Sequence, residues 1–353
     1  MSVVAELLQP LTMVRYILDH RLSGFPLQVV AKKYTDPANS VASSDPSAMT
    51  ILLAAGIGMT TELWIPMVKE LYRLDTKGSG VKIRSVWAVD CPNHGEACVL
   101  NEDVLKEKYA EQFDKPMDAP VTLHEYGKAI TLFLSTGLLD PLEKSTLVAV
   151  GHSGGTAALI ACATANSDHQ LFKTLMLVEP PWLDRSVKPM FEMATTFIGK
   201  RKSRTWGSVD EAMKYLVTRK PYKTFHPDVV RVMAGTHFRS VNVDGQTRIA
   251  LKTSTEQVMA TWKATDDAFN ASEMIEPLLP KMRVHVIFGS RHDMPKPVHE
   301  VLQKCVEAHR SQLASISTVN DTGHHVPQEK PQELAAAIIH ILQHDRPSPA
   351  ARL

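Results

Sequence analysis

A serine, a histidine and two carboxylates occur in this chain in an order that suits nucleophilic catalysis. The serine lies in Gly151-His152-Ser153-Gly154-Gly155, which reads G-x-S-x-G directly after an apolar run and directly before a helix-compatible stretch. This order of strand, turn and helix is that of a nucleophile elbow, a sharp turn that exposes the serine hydroxyl. We expect Gly151 and Gly155 to allow the turn, because glycine tolerates close approach and backbone angles closed to bulkier residues. The same pattern also occurs in plain glycine turns, so the partners of Ser153 decide between the two interpretations.

A serine hydroxyl is a poor nucleophile until a base takes its proton, and an acid orients that base. In α/β-hydrolases the order along the chain is serine, acid, histidine, and the histidine is expected in a loop after the last strand. Gly323-His324-His325 lies in such a loop and leads through Val326 and Pro327 towards the last predicted helix. We predict His324 as the general base, with His325 as the neighbour that could be mistaken for it. The plain alternative is a pair of surface histidines.

Two carboxylates are candidates for the orienting acid, each at the end of a predicted strand. Glu179 ends the strand that follows the nucleophile helix, and Asp293 comes after the next strand. Each also has a plain interpretation, Glu179 as a supporting carboxylate and Asp293 as a turn residue that caps the following segment. The residues by themselves slightly favour Asp293, because most α/β-hydrolases carry the acid after that strand.

An oxyanion hole needs two backbone N–H groups aimed at the oxygen that becomes negative. We expect one donor to be Gly154, the residue after the nucleophile, and the other to be Ile57, in the loop after the apolar strand 49–55. That loop reads Ala55-Gly56 where a His-Gly pair is usual. A backbone donor survives this change, although the loop must then be held in another way.

The candidate residues all follow predicted strands in a chain that alternates strands with helices. Apolar runs predict strands at 49–55, 81–89, 146–150, 175–178, 284–288 and 316–319, with a last helix from 331 to about 344. Such alternation favours a mostly parallel sheet covered by helices on both faces. We therefore predict an α/β fold of the α/β-hydrolase type.

The first residues and the middle of the chain depart from this alternation. Residues 3–22 are amphipathic and predict a helix, and 27–34 predict an early strand. The region from Trp182 to about Asn270 has several helical segments and no strong strand, which indicates a helical cap inserted between two strands. The predicted organisation is a hydrolase core in 1–181 and 276–345, a cap in 182–275, and a flexible tail in 346–353.

Composition excludes several classes of function. With a net charge of +1 over 353 residues, nothing indicates a nucleic-acid surface. No stretch approaches the roughly 18 apolar residues of a membrane span, and the first residues do not resemble a secretion signal. The four cysteines lack the spacing of a zinc or redox site and are expected to be reduced thiols in an intracellular protein. His292, Asp293 and His299 could be imagined as metal ligands, but a triad explains their loop better, so we expect neither a metal nor an organic cofactor.

The last three residues, Ala351-Arg352-Leu353, fit the small, basic, leucine pattern of the C-terminal peroxisomal address. They follow a proline-rich stretch that should be accessible to an import receptor. We therefore predict a peroxisomal protein, with a cytoplasmic location as the alternative. The sequence leaves the oligomeric state open.

From about residue 48 to 340 the chain resembles the fungal peroxisomal α/β-hydrolases. This group includes the AK-toxin-biosynthesis hydrolases, the mycophenolic-acid acyl-CoA hydrolase and, more distantly, the yeast peroxisomal lipase. The resemblance rests on the Gly-His-Ser-x-Gly elbow, on a strand that ends in an acid and a proline, and on five further segments. These are Ile83–Asp90 with His94–Ala97, Val99–Asp103, Arg204–Ser208 and Thr253–Val258.

The resemblance implies a function and changes the order of the two acids. In this group the triad acid is the carboxylate after the strand that follows the elbow, which is Glu179 here, so Glu179 ranks first and Asp293 second. The implied activity is hydrolysis of a hydrophobic acyl ester or an acyl-CoA thioester, in fungal secondary metabolism. A carboxylesterase or lipase is one alternative, and a hydrolase-fold binding protein with little turnover is another. Cap side chains that could line an acyl tunnel, or could form the core of the cap, are Met190, Phe191, Met193, Phe197, Trp206, Met213 and Tyr215.

Overall fold

The computed structural model describes residues 3–39, 44–110, 121–166, 170–198 and 203–345, with only the backbone of 3–4, 107–110 and 195–198. Its strands are β1 (Thr12–Asp19), β2 (Gln28–Thr35), β3 (Met49–Ala54), β4 (Ile83–Val89), β5 (Leu147–His152), β6 (Thr174–Val178), β7 (Thr205–Trp206), β8 (Phe238–Val243), β9 (Gln246–Leu251), β10 (Arg283–Gly289) and β11 (Ser315–Val319). Its helices are α1 (Val3–Leu8), α2 (Ile65–Thr76), α3 (Gly95–Leu100), α4 (Glu102–Ala110), α5 (Leu123–Ser135), α6 (Pro141–Ser145), α7 (Gly154–Ala165), α8 (Lys188–Ile198), α9 (Val209–Leu216), α10 (Pro227–Thr236), α11 (Thr255–Lys263), α12 (Thr265–Met274), α13 (Lys296–Ala308), α14 (Val326–Glu329) and α15 (Pro331–His344).

Eight strands form the central sheet in the order β1-β2-β4-β3-β5-β6-β10-β11. The pairs β1–β2 and β2–β4 are antiparallel, and the pairs from β4 to β11 are parallel. The prediction of a mostly parallel sheet of the α/β-hydrolase type is confirmed. Because β3, β5, β6 and β10 are neighbours, the loops at their carboxyl ends meet at one edge of the sheet, where open α/β sheets place their ligands.

The sheet is buried on both faces, and successive residues of a strand enter two different cores. On β3, Leu52 and Ala54 belong to one hydrophobic cluster, whereas Ile51 and Leu53 belong to the other. All four of these side chains are 0% exposed. This explains why the central strands are continuous apolar runs in the sequence, as expected for parallel strands covered by helices on both faces.

The predicted helix over 3–22 is wrong for most of its length. A helix covers Val3–Leu8 only, and residues 12–19 form β1, which pairs with β2 along its full length from Thr12 with Thr35 to Asp19 with Gln28. Pro10 lacks the N–H that a helix interior needs, and the following segment is rich in β-branched and aromatic residues. β1 is an edge strand, so its mixture of polar and apolar side chains also fits an amphipathic helix.

The expectation of a helical insertion without a strong strand is also incomplete. It contains a three-stranded antiparallel sheet in the order β7-β9-β8, together with helices α8 to α12. β8 and β9 are joined by Asp244 and Gly245, whose φ angles are 52° and 78°. This is the positive-φ pair of a two-residue hairpin, and Asp-Gly is a frequent sequence signal for it. The strands are half exposed, so the apolar runs that identify the central strands are missing here.

Among the helices that the structure describes, none combines the length and the apolar character needed to cross a membrane.

Candidate active site

Ser153 lies on the sharp turn between β5 and α7, at the carboxyl edge of the central sheet. Its backbone has φ 51° and ψ −123°, a conformation that residues other than glycine rarely adopt. The Ser153 N–H donates to the carbonyl of Val178 at the end of the neighbouring strand (2.9 Å). The turn therefore holds the Ser153 hydroxyl above the sheet, and the strained geometry is that of a nucleophile elbow.

The two glycines of the motif are needed for space and not for unusual backbone angles. A Cβ atom on Gly155 would lie 2.3 Å from the carbonyl oxygen of Ala54, and one on Gly151 would lie 2.8 Å from the Thr156 nitrogen. Neither glycine has a positive φ. The expectation of close approach is therefore met, whereas the unusual backbone angle belongs to Ser153 itself.

The structure brings Ser153, His324 and Glu179 into one hydrogen-bonded row. His324 Nε2 is 2.9 Å from Ser153 Oγ, and His324 Nδ1 is 3.2 Å from Glu179 Oε2. The other carboxylate oxygen, Glu179 Oε1, accepts a hydrogen bond from the Gly289 N–H (2.6 Å). Glu179 has a φ of 50°, which directs its side chain across the sheet edge towards β10. The buried carboxylate is thus fixed from one side by Gly289 and faces the imidazole with the other.

Asp293 lies beside the same histidine but bonds to its backbone, whereas the ring nitrogens bond to Glu179 and Ser153. Its Oδ2 accepts a hydrogen bond from the backbone N–H of His324 (3.1 Å). The carboxylate fills the space next to Gly323, where a Cβ atom would lie 1.6 Å from Asp293 Oδ2. The alternative in which Asp293 orients the imidazole is not supported by this geometry, because the carboxylate holds the backbone of the histidine loop instead.

Glu329 organises the histidine loop from the other side, a contribution that sequence reasoning missed. Its buried carboxylate accepts hydrogen bonds from Thr322 Oγ1 (3.1 Å) and from Arg291 Nη2 (2.6 Å). It also accepts one from Thr224 Oγ1 of the inserted segment (2.9 Å). The loop that carries His324 is therefore tied both to the loop after β10 and to the insertion.

His152, between Gly151 and the nucleophile, also supports the histidine loop. It is fully buried, and burial together with the nearby His324 lowers its pKa to about 3, which keeps it neutral. Its Nε2–H donates to the backbone carbonyl of His324 (2.8 Å). The ring of His325, the neighbour in the sequence, packs against Phe225, and it is His324 whose ring contacts Ser153 Oγ. Burial keeps the pKa of His325 well below the ordinary value.

The two predicted oxyanion donors are neighbours across the nucleophile. A Cβ atom on Gly154 would lie 2.8 Å from Ile57 Cγ1, so the two residues touch. No carbonyl or side chain of the described residues accepts a hydrogen bond from the N–H of Ile57 or of Gly154. An oxyanion hole needs two backbone N–H groups without a partner inside the protein, and these two stay candidates for it.

A cavity of about 650 Å³ opens beside the acid and the histidine. It lies between β10, β11 and helix α13, and its lining combines apolar side chains with both acidic and basic ones. Residues along it include Glu179, His324, Phe288, Leu302, Ile316 and Lys304. Its volume is within the range of small-molecule sites.

The cap side chains considered for an acyl tunnel are in different places. Met213 and Tyr215 pack against one core cluster, whereas Met190 and Phe191 pack against the other. Trp206 is buried and packs its ring against those of Tyr215 and Phe238. Met193 is 71% exposed, and the side chain of Phe197 lies outside the described residues. These positions favour a packing role for most of them, against the two hydrophobic clusters that cover the central sheet.

The rings of His292 and His299 lie beside the cavity with centroids 3.6 Å apart and planes tilted by 35°. Within the described ranges, no group of three or more His, Cys, Asp or Glu side chains is arranged to hold a metal ion. The predicted tail 346–353, with Ala351-Arg352-Leu353, lies outside the described residues.

Comparison with known proteins agrees with this architecture. The model of the alpha/beta hydrolase family matches residues 51–337. No curated protein matches the chain in sequence.

Solved structures with the same fold have low sequence identity. The peroxisomal alpha-beta-hydrolase Lpx1 from Saccharomyces cerevisiae is 17% identical, with a TM-score of 0.69 over 98% of this chain and 92% of that chain. The thioesterase domain from the curacin biosynthetic pathway is 14% identical, with a TM-score of 0.61 over 94% and 99%. The M. tuberculosis esterase Rv0045c is 16% identical, with a TM-score of 0.56 over 97% of both chains. Because the family model spans the elbow, the acid strand and the histidine loop, the chain belongs to the alpha/beta hydrolase family.

Proposed function

We propose that this protein is a serine hydrolase that cleaves an acyl ester or thioester through Ser153, His324 and Glu179. The observation that carries the proposal is the row Ser153 Oγ, His324 Nε2, His324 Nδ1, Glu179 Oε2, with contacts of 2.9 and 3.2 Å. Nucleophile, base and orienting acid need such contacts. No metal or organic cofactor has a part in this mechanism.

Each group has a defined task in the proposed reaction. Ser153 Oγ attacks the carbonyl carbon while His324 Nε2 takes the hydroxyl proton, and Glu179 stabilises the imidazolium through Nδ1–H. The N–H groups of Ile57 and Gly154 hold the negative oxygen of the tetrahedral intermediate. His324 then returns the proton to the leaving alcohol or thiol, and water repeats the sequence on the acyl-enzyme to release the acid.

We further propose that the inserted segment 182–275 acts as the cap that selects the substrate. Two contacts support a position over the carboxyl edge of the sheet: Thr224 donates to Glu329 beside the histidine loop, and Thr253 accepts from the Gly95 N–H after β4. An acyl-CoA thioester is the substrate class that we favour, for two reasons. The fungal peroxisomal group that the sequence resembles includes an acyl-CoA hydrolase, and one structural neighbour is a thioesterase domain.

Ala351-Arg352-Leu353 supports a peroxisomal location through the import receptor, and the likeness to a peroxisomal yeast hydrolase is compatible with it. From the resemblance of the sequence to the fungal peroxisomal α/β-hydrolases we also infer a role in fungal secondary metabolism.

The test is release of free thiol from a panel of acyl-CoA compounds, run beside p-nitrophenyl esters, with wild type and Ser153→Ala. Serine-dependent thioester cleavage much faster than ester cleavage supports the acyl-CoA proposal. Ester cleavage alone indicates the alternative of a carboxylesterase or lipase. Absence of serine-dependent turnover on both panels, together with no labelling of Ser153 by a fluorophosphonate, indicates a binding protein and refutes the proposed mechanism.

A further inference from the structure

The loop that carries Ile57 is a tight turn directly over the nucleophile. The Met59 N–H donates to the Gly56 carbonyl (3.0 Å), and Gly58 has a φ of 81°, as the third position of a type II turn requires. A Cβ atom on Gly56 would lie 3.1 Å from Ser153 Cβ. The peptide between Ile57 and Gly58 is the middle of this turn, and its orientation depends on what accepts the Gly58 N–H.

That acceptor is a histidine from another loop. His94, after β4, accepts the Gly58 N–H at Nε2 (2.8 Å) and is 1% exposed. Burial lowers the pKa of His94 to about 4, so the ring is neutral and carries a single proton. Because Nε2 is an acceptor, that proton is on Nδ1, which lies 2.8 Å from Asn93 Oδ1.

Asn93 continues the row of hydrogen bonds into the inserted segment. Its side chain is fully buried, and its Nδ2 donates to Thr261 Oγ1 (2.9 Å) and to the Gln257 carbonyl (3.1 Å) on α11. Next to it, the Gly95 N–H donates to Thr253 Oγ1 (2.7 Å). One assignment of protons and amide orientation satisfies every contact from α11 to Gly58.

We propose that His94 is a positioning residue for the oxyanion loop, and that Asn93 links this loop to helix α11 of the inserted segment. The inference deepens the proposed function and rests on it, since a positioned Ile57 N–H matters for catalysis only if an oxyanion forms at Ser153. His94 does not touch the reacting atoms. It holds the neighbouring peptide of the turn, and stabilisation of an oxyanion depends steeply on donor geometry. The loop thereby keeps its shape without the histidine that its own sequence lacks.

The test compares His94→Leu, which removes the acceptor, with His94→Gln, whose amide oxygen can accept from Gly58. His237→Gln is the matched control, because His237 is also buried, has a pKa also lowered by burial to about 4, and has its side-chain hydrogen bond with Thr236 and not with the turn 56–59. We expect His94→Leu to lower kcat about 100-fold, the scale of one lost oxyanion donor. KM and the affinity for a ground-state product acid should change less than about 3-fold, while affinity for a trifluoromethyl ketone, which forms a hemiketal oxyanion, falls in parallel with kcat. His94→Gln should restore most of the rate.

The link to the insertion is tested by a double-mutant cycle with Thr261→Val. We expect this substitution to lower kcat about 5-fold in wild type and to have no further effect beside His94→Leu, because both act through one row of contacts. Independent, multiplicative losses would overturn the link through Asn93.

Hydrogen exchange keeps the inference separate from the proposed function. Exchange at the Gly58 amide should accelerate at least 10-fold in His94→Leu and stay unchanged in His237→Gln. Unchanged loop exchange, or a loss of kcat no larger than in the control, overturns the role of His94 in an active enzyme. Accelerated exchange in a protein without Ser153-dependent turnover supports the His94–Gly58 contact and overturns the proposed function instead.

Discussion

Glu179→Gln should be far more damaging than Asp293→Asn, although the two carboxylates flank the same histidine. In wild type, Glu179 Oε1 accepts from the Gly289 N–H (2.6 Å), and Oε2 faces His324 Nδ1 (3.2 Å). In the glutamine variant, the Gly289 N–H still demands an oxygen, so the amide NH₂ must face Nδ1. An unprotonated Nδ1 then accepts, and the single proton of the neutral imidazole moves to Nε2, opposite Ser153 Oγ. The base is thereby held in the wrong tautomer.

The expected loss of kcat is about 10⁴-fold, which is the scale measured when the triad acid of a serine protease becomes an amide. This corresponds to about 5 kcal/mol of transition-state stabilisation. Asp293→Asn keeps an oxygen that can accept from the His324 N–H, so we expect a loss of less than about 10-fold. The two variants differ from wild type by the same chemical change, which makes Asp293→Asn the matched control.

The assay is steady-state hydrolysis of the best substrate from the ester and acyl-CoA panels, with kcat and KM measured for each variant. Thermal unfolding of each variant shows whether the fold is retained. A loss in Asp293→Asn equal to or larger than that in Glu179→Gln would refute the reasoning and make Asp293 the orienting acid. Equal, small losses in both variants would refute the need for a carboxylate on the imidazole.

Three further predictions concern stability. Gly155→Ala places a Cβ atom 2.3 Å from the Ala54 carbonyl oxygen and should lower the free energy of unfolding, measured by urea denaturation, by about 3 kcal/mol or more. Gly245→Ala is the control: its Cβ atom meets no neighbour and only the backbone is strained, so the loss should be about 1 kcal/mol. Burial lowers the pKa of His94 to about 4, of His152 to about 3 and of His237 to about 4, so the unfolded chain binds more protons than the folded one below about pH 6.5. The stability from these histidines is therefore full above that pH and falls by roughly 2–3 kcal/mol per histidine towards pH 4. Equal urea midpoints at pH 7 and about pH 4.5 would contradict this. Lys32→Met leaves the buried carboxylates of Asp90 and Glu62 without the ammonium group that lies 2.8 and 3.1 Å from them, and should lower the free energy of unfolding by about 3–5 kcal/mol. Lys82→Met, at the half-exposed pair with Asp45, is the control and should lower it by at most about 1 kcal/mol in the same denaturation.

The fold class followed from local patterns that the tertiary structure left intact. Buried parallel strands are continuous apolar runs because both faces are covered, and the run before Ser153 is such a strand. The two errors lie where this reason does not hold, in the edge strand β1 and the half-exposed strands of the insertion. The hairpin of β8 and β9 in the insertion could have been predicted, because Asp244-Gly245 is a hairpin signal between two segments of alternating residues.

The sequence by itself determined the order of serine, acid and histidine, and it placed two carboxylates at the ends of strands that could reach the imidazole. Which of them does so was decided only by tertiary structure, through the positive φ of Glu179 and the Gly289 N–H from the neighbouring strand. The contact between His94 and Gly58 is of the same kind, since it joins residues 36 positions apart that meet because β3 and β4 are adjacent and parallel. Periodicity and turn signals report what a segment does with its own neighbours. Hydrogen bonds between loops depend instead on sheet order and on the direction of single side chains, and no local pattern encodes either.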